Sequence, residues 1–248
     1  MGLFDLFKGK SGGESAERSI ARHAERVLDK RALSPDRFAS IEYLARLGTR
    51  EAWASLLPRM NFAVDPSITD QEEKDYIFEA ITSSPDEAVE PVKKFLRETS
   101  SLNWPLKMLR SMVSSEDLVT ELTDFLGSFG TAYEKNHERK VQLLMALEEE
   151  KDPRIAPAVL PFLADFNEDV RFHAVRALTA QPDDAARTAL IQLLLDDTSA
   201  RIRVTVVDGL SERGWSLDPE QKDAVAKILP SLPTGPWRIS KDLKIVKR

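Results

Sequence analysis

The clearest structural signal in this chain is NEDVRFHAVRAL at residues 167–178, which returns 32 residues later as SARIRVTVVDGL at residues 199–210. Aligning the two copies pairs Arg171 with Arg203, and each arginine is followed seven positions later by a leucine. The apolar residues within each copy recur with the spacing of one face of an α-helix. The chain therefore contains a repeated helical unit.

Weaker copies of this pattern, a long basic residue seven positions before a large apolar one, occur upstream. The basic residues, called markers below, are Arg37, Lys74, Lys140, Arg171 and Arg203, and Pro105 occupies the marker position in one further copy. Each copy is expected to be the second helix of a helical hairpin. The first helices are expected to begin near Thr49, Pro85, Ser114, Asp152, Asp183 and Pro219. These starts lie 29 to 38 residues apart, which is typical of helical-hairpin solenoids.

A single helix pair cannot bury its apolar face, so successive pairs must stack into one continuous core. We therefore predict an all-α protein, an α-solenoid forming a right-handed superhelix of about six hairpins over residues 14–236. Residues 1–13 are predicted to be a flexible N-terminal arm. Residues 237–248 alternate apolar and basic residues and are expected to cover the last repeat as a short hairpin.

The segment at residues 167–178 resembles the second helix of a HEAT-like repeat, of the bacterial subtype also seen in bilin lyases. The resemblance is good across Asp152–Gly214, moderate across Asp36–Arg59 and poor across Asp70–Leu126. It implies that Arg171 and Arg203 are structural, with stems packed on the neighbouring repeat and charged ends bonded to acidic side chains or helix ends. We expect the markers Arg37, Lys74 and Lys140 to be structural as well. Pro105 and the longer turn at residues 129–136 depart from the pattern, which predicts irregular curvature in the middle of the chain.

Composition limits the classes of function. Hydrophobic residues make up 42% and charged residues 31% of the chain, as in globular proteins, and there is no cysteine to form a disulfide or a thiolate metal site. A net charge of −6 argues against broad nucleic-acid binding, which needs basic side chains to neutralise phosphates. No stretch is apolar enough to span a bilayer or to act as a secretory signal. We expect a soluble, cytoplasmic protein.

The candidate catalytic and metal motifs are incomplete. Gly9-Lys10-Ser11 lacks the first glycine and the preceding strand of a phosphate-binding loop, and His137-Glu138 lacks the second histidine of a zinc-protease helix. Acidic runs such as residues 148–150 are typical of solvated helix ends. We therefore expect a non-enzymatic protein without a metal ion or cofactor.

The concave side of the stacked second helices is the candidate binding surface, and residues two and five positions after each marker should point there. The predicted partner-binding residues are Glu42, Tyr76, Glu79, Lys107, Arg110, Met145, His173 and Arg176, and the row continues with Thr205 and Asp208. The part of this surface nearest the N-terminus should carry negative charge, to which Asp70, Glu72, Glu73 and Asp75 contribute. The middle part should carry positive charge. Such a bipolar groove suits a protein or peptide partner, although simple solvation of these positions is the alternative. Residues one position after each marker, including Phe38 and Phe172, are expected to pack between repeats.

The function that these observations favour is a scaffold or adaptor for another protein. One alternative is a HEAT-like alkylpurine DNA glycosylase, which uses aromatic residues in a basic cleft, but Trp53, Trp104, Trp215 and Trp237 are not expected to converge. A bilin-lyase-like subunit is another alternative. The partner, the process and the oligomeric state stay open.

The extreme N-terminus has one further pattern. Leu3, Phe4, Leu6 and Phe7 could form one apolar helical edge that touches a membrane or a partner. An arm that makes no such contact is the simpler interpretation and is the one we adopt.

Overall fold

The computed structural model describes residues 5–247, with side chains described from Ser15 onward. The chain divides into two compact units, Met1–Ser114 and Ser115–Arg248, called unit 1 and unit 2 below. Regular structure in the described residues is almost entirely helical, which confirms the predicted all-α solenoid fold. The handedness of the superhelix stays a prediction.

Unit 1 consists of three successive hairpins. The first pairs α1 (Asp5–Leu28) with α2 (Ser34–Leu47). The second pairs α3 (Arg50–Leu56), continued by the 3₁₀ turn Leu57–Asn61, with α4 (Ser67–Thr82), and the third pairs α5 (Pro85–Glu98) with α6 (Asn103–Met112). The first helices α1, α3 and α5 pack in one layer, and the second helices α2, α4 and α6 pack in the other.

Unit 2 is built from the same kind of hairpins. Its hairpins are α7 (Ser115–Gly127) with α8 (Glu138–Glu148), α9 (Ile155–Val159, continued by the 3₁₀ turn Leu160–Ala164) with α10 (Glu168–Ala180), and α11 (Arg187–Asp196) with α12 (Ala200–Arg213). A 3₁₀ turn at Pro219–Gln221 leads into α13 (Lys222–Ile228), which packs on α11. The second helices α8, α10 and α12 again form one layer.

A small antiparallel hairpin follows α13. Its strands are β1 (Trp237–Ile239) and β2 (Ile245–Lys247), which pack on α13 and α12 respectively. The Leu217 backbone N–H donates to the Leu243 carbonyl at 2.8 Å, so the hairpin is also bonded to the segment after α12. A hairpin therefore lies where the sequence pattern places a cover for the last repeat.

The core of each unit lies between its two helical layers. The residues paired by the 32-residue repeat are buried in both copies: Val170, Ala174 and Leu178 in α10, and Ile202, Val206 and Leu210 in α12. Burying a large aliphatic side chain contributes about 1.5–3 kcal/mol to folding. The apolar spacing in the sequence thus identifies the packed face of these helices.

Helix ends follow local chemistry. Gly48 and Gly214 end α2 and α12 with φ of +62° and +63°, the left-handed conformation that glycine adopts without a steric penalty. One boundary differs from expectation, because α11 begins at Arg187 and not near Asp183. The Asp183 carboxylate accepts the Ala185 N–H at 3.0 Å, which stabilises a turn before the helix begins.

The markers of unit 2 join one repeat to the next. Lys140 Nζ donates to Asp165 Oδ2 at 2.7 Å, and both side chains are buried. In the next repeat Arg171 Nε donates to Asp197 Oδ2 at 2.8 Å. The two aspartates lie in equivalent turns, and each also accepts a backbone N–H from two residues later at 2.8 Å. The series ends at Arg203, whose buried Nε has no hydrogen-bond partner among the described residues.

Unit 1 uses a buried ion network. Arg37 Nε donates to both oxygens of Glu73 at 2.8 and 2.9 Å, and Arg59 Nε donates to Glu73 Oε2 at 2.8 Å. All three side chains are at most 2% exposed. Arg59 also contacts Asp70, which accepts a hydrogen bond from Lys74 Nζ at 2.8 Å. The marker Lys74 therefore bonds within its own helix.

The prediction that Asp70 and Glu73 contribute to an exposed negative surface is wrong. Glu73 precedes Ile77 by four residues, so it shares the apolar face of α4, where Ile77 and Ile81 are fully buried. Asp70 is also largely buried, beside Arg59. Both carboxylates serve packing between helices instead.

The N-terminal predictions lie mostly outside the described side chains. Helix α1 includes residues 5–13, which the sequence analysis assigns to the flexible arm. The structure describes neither the side chains of Leu3, Phe4, Leu6 and Phe7 nor their contacts. Among residues 5–247, no helix combines the length and apolarity needed to cross a bilayer.

Candidate functional site

The exposed side of the second helices in unit 1 carries five of the predicted partner-binding residues. Glu42 lies on α2, Tyr76 and Glu79 lie on α4, and Lys107 and Arg110 lie on α6. Glu79, Lys107 and Arg110 are exposed, whereas Glu42 and Tyr76 are half-buried. The neighbouring helices of this layer place these residues on one side of unit 1.

Aromatic rings connect these helices. The ring centroids of Phe38 and Tyr76 are 5.2 Å apart, and those of Phe78 and Trp104 are 6.2 Å apart. Lys107 Nζ lies 4.6 Å from the Phe78 centroid and 5.2 Å from that of Trp104. Cation–π attraction therefore holds the Lys107 ammonium on the surface of unit 1, a contact that the helical spacing alone did not indicate.

The predicted residues of unit 2 have different surroundings. Met145 on α8 is 48% exposed. Arg176 on α10 is exposed, and its Nε donates to both carboxylate oxygens of Glu148 at 3.0 Å. His173 is half-buried against Phe172, with ring centroids 5.0 Å apart, and its buried Nδ1 has no hydrogen-bond partner in the described part of the chain.

The charge around His173 and Arg176 differs from the positive charge that the sequence predicts for this part of the surface. Burial lowers the pKa of His173, and the charges of Arg176 and Arg201 lower it further, while Glu148 and Asp169 act in the opposite direction. The imidazole is therefore neutral at pH 7. The hydrogen bond to Glu148 raises the pKa of Arg176, and the two opposite charges compensate each other. This part of unit 2 thus presents little net positive charge.

An open groove of about 440 Å³ lies along the second helices of unit 2. Glu148 at the end of α8 borders it, and α10 and α12 supply the rest. Its lining residues are Glu148, Phe172, Arg176, Thr179, Ala180, Thr205, Asp208, Gly209 and Glu212. Arg176, Thr205 and Asp208 stand two or five positions after a marker, as the predicted row requires. Met145 and His173 do not line the groove.

Gly209 allows α10 and α12 to approach closely beneath this groove. A Cβ atom at this position would lie 2.4 Å from Thr179 Cγ2, which is too close for any side chain without movement. The equivalent positions in the other two repeats of unit 2, six residues after Lys140 and Arg171, are the buried alanines Ala146 and Ala177. Small residues at this position therefore allow the second helices of unit 2 to pack closely.

Phe172 has a role beyond the packing predicted for it. It lines the groove, and the Arg201 guanidinium lies 4.0 Å from its ring centroid. Arg201 is in turn paired with Asp169. One face of the ring is thus covered by a charged side chain of the next repeat.

The structure also contains an exposed aromatic pair that the sequence pattern does not predict. Tyr133 is 71% exposed and Phe166 is 68% exposed, and their rings meet edge to face with centroids 5.4 Å apart. The Phe166 N–H donates to the Thr131 carbonyl at 2.9 Å, which holds the two turns together. The only sequence signal for this feature was the unusually long turn at residues 129–136.

The described residues contain no group of three or more His, Asp or Glu side chains placed to hold a metal ion. Trp53 in α3 of unit 1 is 1% exposed, and Trp237 in β1 of unit 2 is 8% exposed. Neither indole offers an open face on which a nucleic-acid base could stack.

Comparison with known protein families gives a match to a repeat family. The family model of HEAT repeats matches residues 156–238, which run from α9 to β1 and include every groove residue of α10 and α12. A search of curated proteins finds no match. The matched region covers the two copies quoted at the start, and it supports a HEAT-like repeat architecture for this part of unit 2.

Proposed function

We propose that this protein is a non-enzymatic scaffold or adaptor that holds a segment of another protein in the groove of unit 2. The groove is the observation that carries the proposal, because it is open, it follows the layer of second helices, and it contains three residues of the predicted row. HEAT repeats commonly mediate interactions between proteins, and the matched region includes both principal walls of the groove.

The composition of the groove supports a polypeptide ligand. A volume of about 440 Å³ accommodates a few side chains, and the lining mixes carboxylates, hydroxyls and one guanidinium with small residues and one aromatic ring. Adaptable polar contacts around a limited apolar area are common at transient protein interfaces. The exposed residues Glu79, Lys107 and Arg110 of unit 1 and Met145 of unit 2 belong to the proposal as further contacts.

A random peptide library displayed on phage and selected on the full chain tests this function. Peptides should be recovered that bind the wild-type protein and that lose binding when Thr205→Trp fills the groove. The matched control is Thr188→Trp, which makes the same change at an exposed position on the first helix α11. It should leave peptide binding intact. The proposal fails if no peptide is selected, or if the selected peptides bind the Thr205→Trp variant as well as the wild type.

A further inference from the structure

The groove of unit 2 has an unequal balance of charges. Three carboxylates line it, those of Glu148, Asp208 and Glu212, against the single guanidinium of Arg176. Their formal sum at pH 7 is negative. A ligand that enters the groove therefore meets a surface favouring positive charge.

The direction of the Arg176 side chain increases this imbalance. Its guanidinium lies against Glu148 of α8, with both Nε and Nη2 engaged by that carboxylate. The bidentate geometry fixes the group at the α8 side of the groove. The charge of Glu212 contributes to the raised pKa of Arg176, yet Asp208 and Glu212, on α12, make no ion pair within 4.0 Å with any residue that the structure describes. Their oxygens are therefore available to a ligand.

The hydroxyl groups lining the groove are already committed as donors. Thr179 Oγ1 donates to the Val175 carbonyl at 2.9 Å, and Thr205 Oγ1 donates to the Arg201 carbonyl at 2.8 Å. Each hydroxyl has one hydrogen, so toward a ligand these oxygens act as acceptors. Gly209 between them adds no side chain. The α10–α12 side of the groove consequently offers acceptors to a ligand that brings donors.

Apolar anchoring is limited at the same place. The aromatic lining residue, Phe172, already has the Arg201 guanidinium 4.0 Å from its ring centroid. Ala180 adds only a small apolar surface. Charge and hydrogen bonding are thus the main sources of affinity in this groove.

Resting on the proposed function, we infer that the groove selects a partner segment that presents an arginine side chain to Asp208 and Glu212. These acids lie four residues apart on α12, where adjacent helical turns bring side chains about 5–6 Å apart. A guanidinium has five donors in a planar fork and can reach both carboxylates together, whereas an ammonium acts as a point charge. Arginine should therefore bind more tightly than lysine.

Labelled octapeptides of defined sequence test the inference by fluorescence anisotropy on the full chain. The probes alternate serine with arginine, lysine, citrulline or glutamate. Citrulline has nearly the shape of arginine but carries no charge. We expect the arginine peptide to bind at least about tenfold more tightly than the citrulline peptide, because charge-assisted hydrogen bonds are lost. The lysine peptide should be intermediate and the glutamate peptide should not bind.

The matching protein variant is Asp208→Asn with Glu212→Gln, which removes both charges at nearly constant size. It should weaken binding of the arginine peptide by at least about tenfold. The control is Glu220→Gln with Asp223→Asn, an equal change in net charge at exposed positions outside the groove, which should have little effect. Far-UV circular dichroism and thermal melting check that both variants fold.

The outcomes separate this inference from the function on which it rests. Equal binding of arginine and citrulline peptides to the wild type overturns the inference, whatever the stability of the variants. Equal weakening of arginine-peptide binding in the groove variant and the control variant also overturns the inference, since the peptide would then be attracted by net charge alone. If library peptides still require an open groove at Thr205 but are not enriched in arginine, the proposed function stands and this inference fails. If Thr205→Trp leaves library binding unchanged, the function itself fails.

Discussion

In unit 1 the marker Arg37 meets a carboxylate on the next second helix, whereas in unit 2 Lys140 and Arg171 meet carboxylates in the turns before the next second helices. Both solutions connect adjacent repeats through a basic side chain at the same position of the hairpin. They differ in where the acid lies. The same sequence signal can therefore serve one structural task with different partners.

Only in unit 2 do the acidic partners of the markers recur at the repeat spacing in the sequence. Asp165 and Asp197 are separated by the repeat length of 32 residues, and each makes the same bond to its own turn. Unit 1 instead gathers Arg37, Arg59 and Glu73 into one buried network that occurs once. The family match at residues 156–238 includes both Asp165 and Asp197.

Removing the buried acid that pairs with a marker in each unit should have the largest effects on stability. Glu73→Gln leaves two buried guanidinium groups without their shared carboxylate, and we expect a loss of about 3–5 kcal/mol in the free energy of unfolding. Asp165→Asn should cost less, about 2–4 kcal/mol, since Glu134 remains 3.7 Å from Lys140 Nζ. Urea denaturation followed by circular dichroism measures both changes.

Glu79→Gln is the matched control for this comparison. It makes the same chemical change at an exposed position of α4, and it should alter the free energy of unfolding by less than about 0.5 kcal/mol. Similar losses for Glu73→Gln and Glu79→Gln would contradict the buried network.

The two equivalent arginines of unit 2 should respond differently to replacement. Arg171→Met leaves the buried Asp197 without its ion-pair partner and should cost about 1–3 kcal/mol. Arg203→Met removes a buried donor that lacks a partner, together with one long contact of 3.5 Å to the Leu195 carbonyl. It should change stability by about 0–1 kcal/mol. Thermal melting of the two variants side by side gives the comparison, and equal losses would show that the series does not end at Arg203.

The smallest expected effect concerns pH and again differs between the units. Because the pKa of His173 is lowered by burial, the unfolded chain binds a proton before the folded chain does as the pH falls below about 6.5. Stability contributed by the neutral ring is thus present above that pH and is lost on acidification. His173→Gln should reduce the loss of stability between pH 7 and pH 5 by less than about 1 kcal/mol.

His23→Gln provides the counterpart in unit 1. Burial, Arg22 and Arg26 also lower the pKa of His23, but this ring is less deeply buried and stacks on Tyr43 with centroids 4.0 Å apart. The His23→Gln replacement should therefore change the pH dependence of stability less than the His173→Gln replacement does. Denaturation midpoints at several pH values measure both, and a larger effect at His23 would contradict this order.

Much of the architecture was accessible from local patterns. The spacing of apolar residues identified the second helices, and prolines, serines and glycines marked where helices begin and end. The position of the groove followed from the same register, through Arg176, Thr205 and Asp208. Helical periodicity was sufficient there because it is a property of neighbouring turns of one helix.

The charge of the site was not accessible in this way. Whether Arg176 is an open positive group depends on Glu148, which lies 28 residues away on another helix. Helical phase places Glu73 on the buried face of α4, but the guanidinium of Arg37 that compensates its charge lies 36 residues away.

Sequence periodicity was therefore enough for the order, register and exposed faces of the helices, because these arise from contacts within a few residues. Which acid neutralises each marker, and which carboxylates remain open in the groove, emerged only in the folded chain. Electrostatic pairing depends on distance in space, and two side chains on different helices acquire a fixed distance only when those helices pack.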